Sequence, residues 1–148
     1  MSYRPFLIIV LLLLAIQQPV FSAEKKCDED KGLKFLNAQK FEQAFKALES
    51  CEYEPGISAD VLFGLSQLYS NEKFGLLNKQ ERQRKIWELI HRSAVLGDPA
   101  ALKSLVWVYT NGDQVIPLRA NPARADCLEE LTERQVVNPN EVKMCLSV

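Results

Sequence analysis

Apolar residues in this chain recur at the three- and four-residue spacings of helices, and the strict alternation that strands need is nearly absent. Phe35, Leu36, Phe41, Phe45 and Leu48 form one stripe, broken by polar Asn37 to Lys40, which predicts two helices joined by a turn. Pro55-Gly56 punctuates the chain, and Ser58 stands where an N-cap belongs, ahead of Leu62, Leu65, Leu68 and Tyr69. Ser70 to Asn78 reads as a connector. A long helix is expected from about Lys79 to Leu96, with Ile86, Leu89, Ile90 and Ala94 inward, stopping at Gly97. Asp98-Pro99, Asn121-Pro122 and Asn138-Pro139 each set a capping side chain before a proline in the first helical turn. They predict three further helices: one through Leu102, Leu105, Val106 and Tyr109 to Asn111-Gly112, one through Leu128 and Leu131, and a short one ending near Cys145.

The first residues follow another pattern. Arg4 precedes an unbroken apolar run from Phe6 to Ile16, then Gln17, Gln18 and Pro19 interrupt it. Val20-Phe21-Ser22-Ala23 supplies small residues before charged Glu24-Lys25-Lys26, which is the layout of a cleaved secretory signal. The run is too short for a bilayer, which needs roughly 20 residues. No cysteine stands at the cleavage point, which argues against a lipid anchor. Residues 1–23 are therefore expected to be removed, leaving residues 24–148 as one domain, long enough for a real core.

Charge narrows the partners. The chain has 18 basic and 19 acidic side chains, and loss of Arg4 with the signal leaves 17 against 19. The two signs are interspersed with no basic block, so neither nucleic acid nor an anionic membrane surface finds the cationic footprint it needs.

Cys27, Cys51, Cys127 and Cys145 all follow the signal, and an even number in an exported chain reads as two disulfides. Four cysteines allow three connectivities; proximity along the chain favours Cys27–Cys51 and Cys127–Cys145. A metal site would want a C-x-x-C pair or a histidine cluster, and the chain has one histidine.

Set against itself, the chain repeats. Leu62, Leu65, Tyr69 and Asn71 recur 40 residues on as Leu102, Leu105, Tyr109 and Asn111. A period of this size built from helix pairs signals an α-solenoid. The stretch from Ala94 through Gly97-Asp98-Pro99-Ala100-Ala101-Leu102 to Leu105, Tyr109 and Gly112 resembles the core of a Sel1-like repeat, with its Gly-Asp-x-x-Ala, its leucine and tyrosine, and its closing glycine. Residues 59–71 are similar to a weaker copy, and Gly32, Phe41, Ala44 and Phe45 are similar to the related tetratricopeptide pattern. Val106 departs from the family, standing where a small residue is usual. The resemblance implies an all-α, short right-handed solenoid of about three antiparallel helix pairs that works as an adaptor for other proteins.

Signals of chemistry are weak. His91, flanked by Arg92 and Ser93, has no local motif bringing it a nucleophile or carboxylate. Cys51 with His91 would make a thiol pair only if the cysteine stayed reduced. Glu129, Glu130 and Glu133, with Arg134 beside them, read first as a solvated helix face. No phosphate loop, dinucleotide fingerprint, calcium loop or nucleophile elbow is legible, so no catalytic, cofactor or metal residue is assigned.

Aromatic residues are the better lead. Tyr53, Tyr69, Trp87, Trp107 and Tyr109 either fill seams between helices or stand exposed as anchors for a partner, as Trp and Tyr do at binding hot spots. The run from Leu105 to Tyr109 is apolar around its whole helix, so that helix is sandwiched or keeps one face for a partner. The loop from Asp113 to Ala120, with Ile116 and Arg119, carries the same choice. The sequence thus favours a periplasmic module that binds another protein, in the concrete form of an immunity or inhibitor protein against an envelope-targeted effector or hydrolase. An accessory subunit of an envelope complex is the first alternative, and a cysteine-rich Sel1-like enzyme acting on a cell-wall-type ligand, with a polar pocket around His91, the second. Secretion is the alternative to the periplasm.

Overall fold

In the computed structural model, residues 26–74, 77–113, 118–134 and 136–148 are described. The segment read as a secretory signal lies outside them. The described residues form seven α-helices and one short 3-10 helix. These are α1 (Glu29–Asn37), α2 (Phe41–Leu48), the 3-10 helix η1 (Glu49–Tyr53), α3 (Ala59–Ser70), α4 (Lys79–Val95), α5 (Pro99–Asn111), α6 (Pro122–Thr132) and α7 (Pro139–Ser147). The one β contact among the described residues is an isolated bridge between Asp113 and Leu118.

Local chemistry explains most boundaries. Asp98, Asn121 and Asn138 each accept a backbone N–H of the first turn, and each is followed by proline, whose missing N–H costs nothing there. Asn78 and Glu81 form a reciprocal capping box at the start of α4. Gly97 ends that helix region at φ +93°, a conformation L side chains avoid, and an added Cβ would also meet the Val137 carbonyl oxygen at 3.2 Å.

Two starts add to the sequence reading. Ser58 does precede α3, but its side chain caps nothing. Its hydroxyl instead donates to Glu29 Oε2 at 2.7 Å, because that carboxylate at the head of α1 reaches the same spot and is the stronger acceptor. The α1 helix starts at Glu29, well ahead of the apolar stripe, capped by Asp28 accepting from the Lys31 N–H at 3.1 Å.

Packing follows chain order. The broadest contacts join α1 with α2, α3 with α4, and α5 with α6, while α7 rests on α6 and α4. Gly32 is what lets α1 and α2 close: a Cβ there would overlap the side chain of fully buried Leu48. Two apolar clusters result. One joins Leu48, Val61, Leu65, Leu68 and Leu89, and the other Leu102, Leu105, Leu128, Leu131 and Val142. Half-buried Ile90 packs against both, so α4 is the shared wall.

Each end is stapled. Cys27 and Cys51 are disulfide-bonded with Cα atoms 4.6 Å apart, tying the start of α1 to η1. Cys127 and Cys145 are bonded at 5.5 Å, tying α6 to α7. This is the pairing that proximity favoured, and such bonds persist in oxidising compartments outside the cytosol. Among the described residues no helix is long and apolar enough to cross a membrane.

Candidate functional site

The outer side of α5 carries the most exposed large aromatic ring of any α-helix described, although Tyr53 at the end of η1 is more exposed still, at 74%. Buried Ala101, Leu102, Leu105 and Tyr109 turn α5 inward on one side. The opposite side, at helical spacing, presents Lys103, Trp107, Thr110 and Asn111 to solvent. Trp107 is 62% exposed, so the helix is not sandwiched. Its 40-residue counterpart on α3, Gln67, is exposed as well.

The other aromatic candidates, Tyr53 apart, face inward. Tyr69 is buried and meets Phe45 edge-on at 5.5 Å. Its hydroxyl pKa is raised, first by burial and then by the Glu52 carboxylate. Tyr109 is buried, with Trp87 edge-on at 6.0 Å and the Arg124 guanidinium over its ring at 5.4 Å. Both tyrosines therefore fill seams and offer no contact face. Trp87 is half-buried at the edge of the same cluster. Arg119 is exposed, and Ile116 lies outside the described residues.

A second candidate lies along the C-terminal half of α4. A cleft of about 570 Å³ opens there, floored by Ile57, Leu62, Val95 and Leu96. Its rim carries Glu54 from the η1–α3 loop, His91 and Arg92 from α4, and Lys143 from α7. Arg92 is partly committed, donating to the Glu52 carbonyl at 2.8 Å and lying 3.6 Å from Glu88 Oε1. His91 sits beside Trp87, with ring centroids 6.4 Å apart. Burial, helped by the nearby Arg124 charge, holds its pKa below the ordinary histidine value, so the ring is neutral at pH 7.

The cleft was not legible in the sequence, because Glu54, His91 and Lys143 meet only through the fold. Its one weak signal was apolar Leu96 at a helix end, which is 47% exposed. A third depression, of about 540 Å³, is lined by Phe41, Phe45, Lys46 and Phe74 near the far end of α2.

The thiol pairing of Cys51 with His91 is ruled out, since Cys51 is bonded to Cys27. Glu129, Glu130 and Glu133 are exposed, and Arg134 pairs across to Glu141 at 2.8 Å. Among the described residues no group of three potential ligands is placed to hold a metal ion. Comparison with protein-family models, curated proteins and solved structures returns no match.

Proposed function

We propose that this chain is exported to the periplasm after cleavage of residues 1–23 and there binds one partner protein through the outer face of α5. The observation that carries this reading is Trp107, 62% exposed in mid-helix, where burial in the domain's own core would be the ordinary fate of such a ring. The helices stack, in this reading, as a short right-handed solenoid of the Sel1-like type. Its pairs are α1/α2, α3/α4 and α5/α6, and α7 closes the end. The dominance of contacts within those pairs supports it, as does burial of both copies of the repeat: Leu62, Leu65 and Tyr69, then Leu102, Leu105 and Tyr109. Gln67 and Trp107 then lie on one side of the array, and Lys103 beside Trp107 supplies a charge at its margin.

A face this small suits a single dedicated partner, in the form of an envelope-directed effector or hydrolase that this protein blocks. The test is capture of partners from an envelope extract of the native source with wild-type protein and with Trp107→Glu. One stoichiometric hydrolase or toxin, inhibited by wild type and released by the variant, supports the reading. Several envelope components held regardless of Trp107 would replace it with the accessory-subunit role.

A further inference from the structure

The cleft along α4 is independent of the α5 face, and its chemistry is specific enough to name a ligand class. Its floor is aliphatic throughout: Ile57, Leu62, Val95 and Leu96. Among the described residues no Phe, Tyr or Trp lines it, so the His91 imidazole is its one aromatic ring. A volume of about 570 Å³ falls within the range of small-molecule sites.

Charge at the rim is lopsided at neutral pH. Arg92 and Lys143 are cationic, Glu54 is the one carboxylate, and His91 is neutral because its burial disfavours the imidazolium. The two cations come from different helices, Arg92 from α4 and Lys143 from α7. Arg92 is held in place by the Glu52 carbonyl. Lys143 is exposed and makes no ion pair or hydrogen bond among the described residues. It is free to meet an incoming anion. Leu96, 47% exposed, leaves apolar surface in water that such a ligand would cover.

We infer that this cleft binds a free aliphatic monocarboxylate, with the chain on Ile57, Leu62, Val95 and Leu96 and the carboxylate held by Lys143 and Arg92. Each part of the ligand answers a part of the site. The alkyl chain loses contact with water against the aliphatic floor, and the head group gains a charge-assisted hydrogen bond from an ammonium that has no other partner among the described residues. Neutral His91 adds no charge of its own and can donate or accept a hydrogen bond at the same rim. Glu54 sets a preference for one negative charge over two.

The test uses the protein purified with both disulfides closed and sodium dodecanoate as probe, below its micelle concentration, followed by calorimetry and amide chemical shifts. The expected result is saturable one-to-one binding with shifts centred on Ile57, His91, Leu96 and Lys143. Lys143→Glu should weaken it at least tenfold, whereas Lys103→Glu on α5 should leave it within twofold. Dodecyltrimethylammonium should bind at least tenfold more weakly than dodecanoate, and vesicles of anionic phospholipid should not retain the protein. Three outcomes would overturn the inference: no saturable binding of dodecanoate, equal binding of the cationic amphiphile, or shifts centred on Phe41 and Phe74 instead. Retention by the vesicles would also overturn it, by placing the recognised anion in a lipid surface. Because Lys143 is exposed on the last helix, its variant should keep the wild-type helical spectrum, which separates loss of binding from loss of fold.

Discussion

Lys85, on α4, donates a hydrogen bond to Glu52 Oε1, a carboxylate that is only 3% exposed at the end of η1. The Tyr53 hydroxyl sits 2.7 Å from the same ammonium, and its ring lies 4.9 Å below it. Burial alone would lower the lysine pKa, but these hydrogen bonds and the Glu52 charge outweigh it and hold the pKa above the ordinary lysine range. Lys85 therefore stays charged across the physiological range, and its bond to Glu52 fixes η1 against α4. Removing Lys85 leaves the Glu52 carboxylate buried without its cation, and removing Glu52 leaves the ammonium with the Tyr53 hydroxyl and a Glu88 oxygen 3.9 Å away. Lys85→Ala should cost about 3 kcal/mol of unfolding free energy, as should Glu52→Ala, while Lys85→Met with Glu52→Leu should recover most of it. Urea unfolding of the single and double variants checks this; additive single costs would show that the two residues are not coupled.

The disulfides give a second prediction. Cys27–Cys51 closes a separation of 24 residues and Cys127–Cys145 one of 18. Crosslinks of this span restrict the unfolded chain by about 3 kcal/mol each. Replacing either pair with alanine should lower stability by roughly that amount, and replacing both should come close to unfolding the domain. Peptide mapping without reductant should find only these two linkages.

How much of this was legible in the sequence depends on whether a feature is local. Asp98-Pro99, Asn121-Pro122 and Asn138-Pro139 announced three helix starts because a cap and a proline act within one turn, and each fell where the structure puts it. The start of α1 at Asp28 was missed, since its acidic first turn carries no apolar stripe. Ser58 is the N-cap residue of α3 as its position suggests, but its hydroxyl goes to Glu29, 29 residues earlier, and no local pattern reveals such a partner. Inward Tyr69 and outward Trp107 have the same reason behind them: helical periodicity finds a stripe, but which aromatic falls on it depends on the neighbours. The cleft, built from three separate segments, leaves only apolar Leu96 at a helix end as a signal in the sequence.

His91 supplies a pH dependence whose sign can be worked out. Its folded pKa lies below the unfolded value of 6.5, so folding favours the neutral ring. The stability it contributes is full above about pH 6.5 and is lost as the pH falls through that value towards the folded pKa. Asp98 acts in the opposite sense: burial raises its carboxyl pKa above 3.8, so its contribution belongs to acid and fades as pH rises through the folded value. Between pH 7.5 and 5.5 the histidine should dominate. Unfolding free energy should therefore fall over that interval in wild type and stay nearly flat in His91→Gln. Equal slopes in the two proteins would remove His91 as the cause.

The two tryptophans should separate cleanly in stability and in solution contact. Trp87 is half-buried against Tyr109 and His91, whereas Trp107 is 62% exposed and has no ring partner among the described residues. Truncating a packed aromatic ring costs about 3 kcal/mol or more, whereas a surface substitution usually stays within about 0.5 kcal/mol. Trp87→Ala should therefore destabilise the fold by roughly 3 kcal/mol, and Trp107→Ala should leave it nearly unchanged. Acrylamide should quench the fluorescence of Trp87→Phe, in which Trp107 alone emits, more strongly than that of Trp107→Phe. Binding of a partner on the α5 face should then protect Trp107 from the quencher. Binding of dodecanoate in the α4 cleft should instead alter emission from Trp87, through its neighbour His91. A partner that changes Trp87 emission and leaves Trp107 open to quenching would move the protein-binding site from α5 to the cleft.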